Sequence, residues 1–204
     1  NVNASTSMTQ QLDNLPALNL VIDDLQVKGT RFSNVELNGQ QHTEKDESQW
    51  VLNKLHLQHA AATLDASGNL SVPKDNSGHI KKPLTAVNFS LAIADGGDLL
   101  EALGLPKTLA KTNGKFEGQL QWHSHPFDLD YDSLNGKITL DLQKGVLLRV
   151  DSGAAKLLGL FSLNKLLQLT IFDLKGLTAK GTPFDDVKAT IKIHQGTAQT
   201  EDFL

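Results

Sequence analysis

At 204 residues, 39% of them hydrophobic and spread along the whole chain, the sequence is long enough to bury a sizeable apolar core and too evenly apolar to be disordered outside its ends. Its net charge of −4, with Arg31 and Arg149 the two arginines among nineteen basic residues, withholds the cationic footprint of a nucleic-acid binder. A chain without cysteine has neither disulfides nor thiolate metal sites, and suits the periplasm as well as the cytosol.

Residues 1–12 are polar, without apolar periodicity, and read as a tail or linker; residues 13–204 read as a single β-rich domain. From Leu18 onward the dominant period is two. Leu18, Leu20 and Ile22 alternate with polar or smaller neighbours, Leu55 and Leu57 do the same, and Val87, Phe89, Leu91 and Ile93 form the cleanest run. A short helix is predicted from Asp98 through Leu99, Leu100 and Leu103 to Gly104, with Pro106 as a stop signal. Alternation resumes in Phe116, Leu120 and Trp122, in Ile138, Leu140 and Leu142, in Val146, Leu148 and Val150, and in Val187, Ala189, Ile191 and Ile193.

A second, greasier helix is predicted over Gly153 to Leu167, capped by Asp151 or Ser152, with Ala154, Leu157, Leu158 and Phe161 at offsets of three and four and Leu160 beside them. Asn38-Gly39, Ser67-Gly68, Asn113-Gly114, Asn135-Gly136, Lys144-Gly145 and Gln195-Gly196 are predicted as tight turns between antiparallel neighbours. Gly29 to Val35 is echoed by Gly181 to Val187, which points to a unit used twice. The fold class that follows is mainly β, an antiparallel sheet with about two short helices.

Chemistry-bearing patterns are few. His123 and His125 share a strand face at a spacing zinc can use, without an evident third ligand. Asp128, Asp130 and Asp132 open like a calcium loop, but Ser133 and Thr139 stand where its glycine and bidentate glutamate belong. No nucleophile elbow, phosphate-binding loop or dinucleotide glycine pattern is present, and no cofactor or metal is expected. The longest uncharged run beyond the polar start, 83–94, is about twelve residues, short of the roughly twenty that span a bilayer as a helix. The chain begins at Asn1 with no signal-peptide pattern and is expected to be an internal stretch of a longer protein.

The stretch from Leu134 to Gly145, followed by Leu148 to Leu160, resembles a recognisable block of the YhdP family of AsmA-like proteins. Further matches are Leu15-Pro16-Ala17-Leu18, the Trp50 to Leu57 segment, Leu103-Gly104-Leu105-Pro106, Gly118 to Trp122, Pro126 to Leu129, Phe184-Asp185 and Thr200-Glu201-Asp202, so the similarity covers nearly everything after the first dozen residues. It implies a curved sheet, an open gutter, groove or taco-like form, in a non-catalytic carrier that moves phospholipid across the periplasm. The full-length protein would be anchored in the inner membrane by a segment outside this one. Phospholipid is the implied partner, with outer-membrane or other envelope proteins as further ones and no nucleic acid.

On that basis Phe89, Leu91, Leu140, Leu142, Leu148, Val150, Leu157, Leu158, Leu160 and Phe161 are the candidate lipid-binding groove residues. Periodicity alone favours an ordinary sandwich or helix-covered sheet, whose apolar face is simply its core. A non-catalytic scaffold module binding another envelope protein, and a polysaccharide-active enzyme, are the rival functions.

Overall fold

Period-two alternation is realised as ten strands in a computed structural model that describes residues 15–27, 29–44, 47–73, 81–105, 107–148 and 181–203. In chain order they are β1 (Leu18–Val27), β2 (Thr30–Glu44), β3 (Glu47–His59), β4 (Ala62–Ser71), β5 (Leu84–Ile93), β6 (Leu109–Ala110), β7 (Asn113–Trp122), β8 (Asn135–Leu147), β9 (Thr182–His194) and β10 (Thr197–Phe203). One helix, α1 (Gly96–Ala102), follows β5, and a 3-10 turn at Tyr131–Ser133 precedes β8. The second predicted helix, 153–167, lies outside the described residues.

All ten strands join one antiparallel sheet in the order β1-β2-β3-β4-β5-β7-β8-β9-β10, with β6 pairing the far end of β8. Successive strands are neighbours throughout, apart from the small detour through β6, an order that the short links joining β1 to β4 and β9 to β10 impose directly. The sheet stays open: β1 and β10 are its two edges and are not bonded to each other. It therefore meets the sequence expectation of a mainly β, antiparallel, unclosed architecture.

Most of the predicted turns are not turns. Asn38-Gly39, Ser67-Gly68 and Lys144-Gly145 lie inside β2, β4 and β8, Asn113-Gly114 and Asn135-Gly136 open β7 and β8, and only Gln195-Gly196 joins two paired strands as a hairpin. The physical reason is visible at Gly136, where φ is +152° and a Cβ would sit 2.1 Å from the carbonyl oxygen of Gln119 on β7. The glycine is needed for a close approach of neighbouring backbones within the ladder, a use that a dipeptide signal does not separate from a turn.

The short helix begins two residues earlier than expected. Asp95 is its cap, the Oδ1 oxygen accepting from the backbone N–H groups of Gly97 and Asp98 at 2.9 and 3.0 Å. Lys107 ties the helix to the segment before β6 through Asp98 at 2.5 Å and Glu101 at 3.7 Å. The repeated segment has matching geometry in its two copies: Gly29 at φ +88° and Gly181 at φ +90° each deliver the chain into a long strand, β2 and β9, at the same end of the sheet.

Candidate functional site

The register sorts the side chains onto two unlike faces. Directly paired residues share a face, so the run Thr85, Val87, Phe89, Leu91 and Ile93 on β5 lies beside Leu70, Gly68, Ala66, Leu64 and Ala62 on β4 and beside Trp122, Leu120, Gly118, Phe116 and Gly114 on β7. Continuing outward, the same face carries Ile138, Leu140 and Leu142 of β8 and Ile191, Ala189 and Val187 of β9. On the other side it carries Trp50, Leu52, Leu55 and Leu57 of β3, then Val35 and Leu37 of β2 with Ile22 and Leu20 of β1. A register shift between Asn38 and Gly39, and another between Leu52 and Leu55, keep the apolar residues in phase.

The opposite face is polar: Glu36, Asn38, Lys54, His56, Asp65, Ser67, Asn88, Ser90, Glu117, Gln119, Lys137 and Thr139 project from it. Several of its polar groups are joined, Lys54 with Glu36 at 2.7 Å and His56 with Asp65 at 2.6 Å across strands, and Lys115 with Glu117 at 2.7 Å along β7. A shallow depression of about 650 Å³ on this face is lined by Lys54, Asp65, Ser67, Asn88, Ser90, Glu117, Gln119 and Lys137. These groups are well hydrated as they stand, so covering them gains little, whereas covering the apolar face releases structured water at about 25 cal/mol per Å².

How far that apolar face is already covered decides what it is. Leu70 and Val72, with Trp50 packed against them, form a small buried cluster at one end, and Trp122 and Leu134 are also buried. That end is fastened by polar bonds: Trp122 Nε1 donates to His125 O at 3.0 Å, Thr85 Oγ1 to Ser124 O at 2.6 Å and Trp50 Nε1 to Pro16 O at 3.2 Å. At the other end α1 crosses from β5 toward β2, where Thr30 Oγ1 donates to Ala102 O at 3.2 Å. Between them Leu52, Leu55, Leu57, Leu64, Val87, Phe89, Leu91, Phe116, Leu120, Ile138, Leu140 and Ile191 are only half-buried. Among the described residues, the main contacts between strands are those of sheet neighbours.

Four of the sequence-predicted groove residues therefore come together: Phe89, Leu91, Leu140 and Leu142 stand on one face, with Leu142 buried and the other three half-buried. Leu148 is not on that stretch. Beyond Lys144, which takes φ +35°, β8 pairs with β6, and Leu148 donates its N–H to Thr108 O just past the strand end. Val150, Leu157, Leu158, Leu160 and Phe161 lie outside the described residues. Sequence reasoning missed the contribution of β2 and β4, whose apolar faces are interrupted by Gly39, Ala62, Ala66 and Gly68; small residues give no alternation signal.

The histidine and aspartate patterns fall in the β7–β8 connection. Asp128 accepts from Ser124 Oγ at 2.7 Å and Asp130 from Ser133 Oγ at 2.8 Å, which stitches the loop to itself. Among the described residues no three histidine, aspartate or glutamate side chains converge as metal ligands, and no helix is long and apolar enough to cross a membrane.

A protein of Escherichia coli (strain K12) named intermembrane phospholipid transporter YhdP is 30% identical over 105 residues, an alignment that takes in 51% of this chain and 8% of that protein. The chain thus matches a small part of that relative's length. No solved structure matches it. The sequence model of the family described as YhdP protein matches residues 1–204, from the first residue to the last, and the chain belongs to the YhdP family.

Proposed function

We propose that this chain is a segment of a periplasm-spanning lipid carrier, residues 13–204 forming one domain of a longer protein whose apolar sheet face shields phospholipid acyl chains between the inner and outer membranes. The observation that carries this reading is the continuous apolar face across β1 to β9 with its middle stretch only half-buried. Contiguous apolar surface that is not fully buried by its own chain commonly marks a place where another molecule covers it. Each methylene removed from water contributes about 0.8 kcal/mol, so about a dozen supply on the order of 10 kcal/mol without any polar recognition group. Head groups remain wet above an unclosed sheet, and Phe89, Leu91, Leu140 and Leu142 are the central contacts. Family membership and the name of the Escherichia coli relative support phospholipid as cargo. The task requires no catalysis, and neither metal nor cofactor enters it.

A photo-crosslinking series in the full-length protein tests the proposal residue by residue. Benzophenone probes at Phe89, Leu91 and Leu140 are expected to capture phospholipid, while probes one residue away, at Asn88, Ser90 and Thr139, face the other side and are expected to capture none. Equal capture on both faces, or none on either, defeats the carrier reading. The rival, a scaffold module for an envelope protein, draws on the open β1 edge, where Val21 is 71% exposed and Leu20 46%. Protein adducts concentrated at that edge, with no lipid captured on the apolar face, are its signature.

A further inference from the structure

The centre of the apolar face contains a slot that its neighbours fill sideways. Gly118 on β7 is paired directly with Phe89 on β5, and a Cβ built on Gly118 would lie 2.7 Å from Phe89 Cε1, 2.8 Å from Cζ and 3.1 Å from Lys137 O. The Phe89 ring thus lies down over the backbone of β7 in the place a side chain would take. Its centroid is 5.3 Å from that of Phe116 at a tilt of 47°, so the two rings share the patch instead of stacking away from the sheet. The same arrangement recurs on β2 and β3, where a Cβ on Gly39 would lie 2.3 Å from Trp50 Cη2 and 2.4 Å from Cζ2. Aromatics on this face lie flat where a glycine makes room for them.

We propose that Gly118 is a positioning residue for lipid passage: by letting Phe89 lie flat it keeps the central strands low enough for an acyl chain to cross, and any side chain at 118 stands the ring up as an obstruction. This rests on the carrier reading given above. The ring's outer edge is the nearest thing an added methyl meets, with the Lys137 carbonyl oxygen next at 3.1 Å, and a ring turns about its side-chain bonds far more cheaply than a strand moves. Gly118→Ala is therefore expected to be accommodated mainly by a turn of the Phe89 ring. A valine there lifts it further.

The test uses the full-length protein with a benzophenone probe at Leu140, and phosphatidylethanolamine-containing vesicles as the lipid source. Capture is expected to fall a few-fold with Gly118→Ala and about tenfold with Gly118→Val, with the circular dichroism spectrum retained. Phe89→Ala combined with Gly118→Val is expected to recover part of the lost capture, because it removes the obstruction together with one lipid contact; a merely structural role for Gly118 predicts instead that capture and the urea midpoint fall and recover together across the variants. Gly118→Ala, the smaller change, keeps the test decisive if the valine variant does not fold. Wild-type capture with undiminished capture by Gly118→Ala and Gly118→Val, or a double variant that captures no more than Gly118→Val, overturns the positioning role. No capture by the wild type overturns the carrier reading itself, and this inference with it.

Discussion

Thr85 is 1% exposed on the apolar face, and its hydroxyl donates to Ser124 O at 2.6 Å, closing the start of the β7–β8 connection onto β5. Thr85→Val keeps the volume and leaves that carbonyl unpaired, so it is expected to lower stability by about 1–2 kcal/mol, read as a shift in the urea midpoint at unchanged slope. The exposed charges of the polar face behave differently. Arg31 donates from Nε and one terminal nitrogen to the two carboxylate oxygens of Asp24 at 2.8 and 2.6 Å, and holds its carboxyl below the ordinary 3.8; Lys54 and Lys115 do the same for Glu36 and Glu117, ordinarily 4.5. Depressed carboxylates favour the folded state above their unfolded values and lose that contribution as pH falls through the folded ones. Stability from these three pairs is therefore expected to be flat through neutrality and to fall only below these ordinary values, by a small amount because solvent screens them. Acid titration of the urea midpoint checks this, with Asp24→Asn removing part of the slope.

At the scale of the element, glycine placement governs more than turn formation. Gly136 sits where β8 crosses close to β7, at a φ that side chains rarely adopt and with 2.1 Å between a would-be Cβ and Gln119 O. Gly136→Ala meets backbone, not a movable ring, so it is expected to cost more than about 2 kcal/mol and to show first in faster hydrogen exchange along the β7–β8 ladder. This contrasts with Gly118, whose nearest obstacle is the Phe89 ring and whose nearest backbone atom, Lys137 O, is 3.1 Å away. Helix α1 is short enough to depend on its cap: Asp95→Ala is expected to cost about 1 kcal/mol, with amide exchange accelerating over residues 97–103 and little change elsewhere.

Across the whole molecule, the two faces make the sheet a one-sided solvent boundary. A folded chain with a half-buried apolar stretch of this kind is expected to bind a naphthylamine-type hydrophobic dye while its tertiary near-ultraviolet signal is intact, and to release the dye when phospholipid is added. Dye binding that appears only as the tertiary signal is lost would place the apolar face inside a closed core. Among the described residues no further strand pairs with the edges at β1 and β10, which leaves ladder positions there for additional strands.

Period two in Val87 to Ile93, Phe116 to Trp122 and Ile138 to Leu142 determined the strand class and, through the phase, which residues share a face. Alternation is a local property, since each Cβ points opposite to the one before it, and so it is legible from neighbours alone. Three other matters depended on the partner across the ladder. Whether Asn135-Gly136 turns the chain or lets β7 approach β8 is set by Gln119, sixteen positions or more from anything a dipeptide signal includes. The apolar faces of β2 and β4 became visible only once register put Gly39, Ala66 and Gly68 beside large neighbours. Above all, the same alternation serves two packed sheets or a single one, because it records which side is apolar and not what lies against that side; only the tertiary arrangement showed the ten described strands joined in one open sheet.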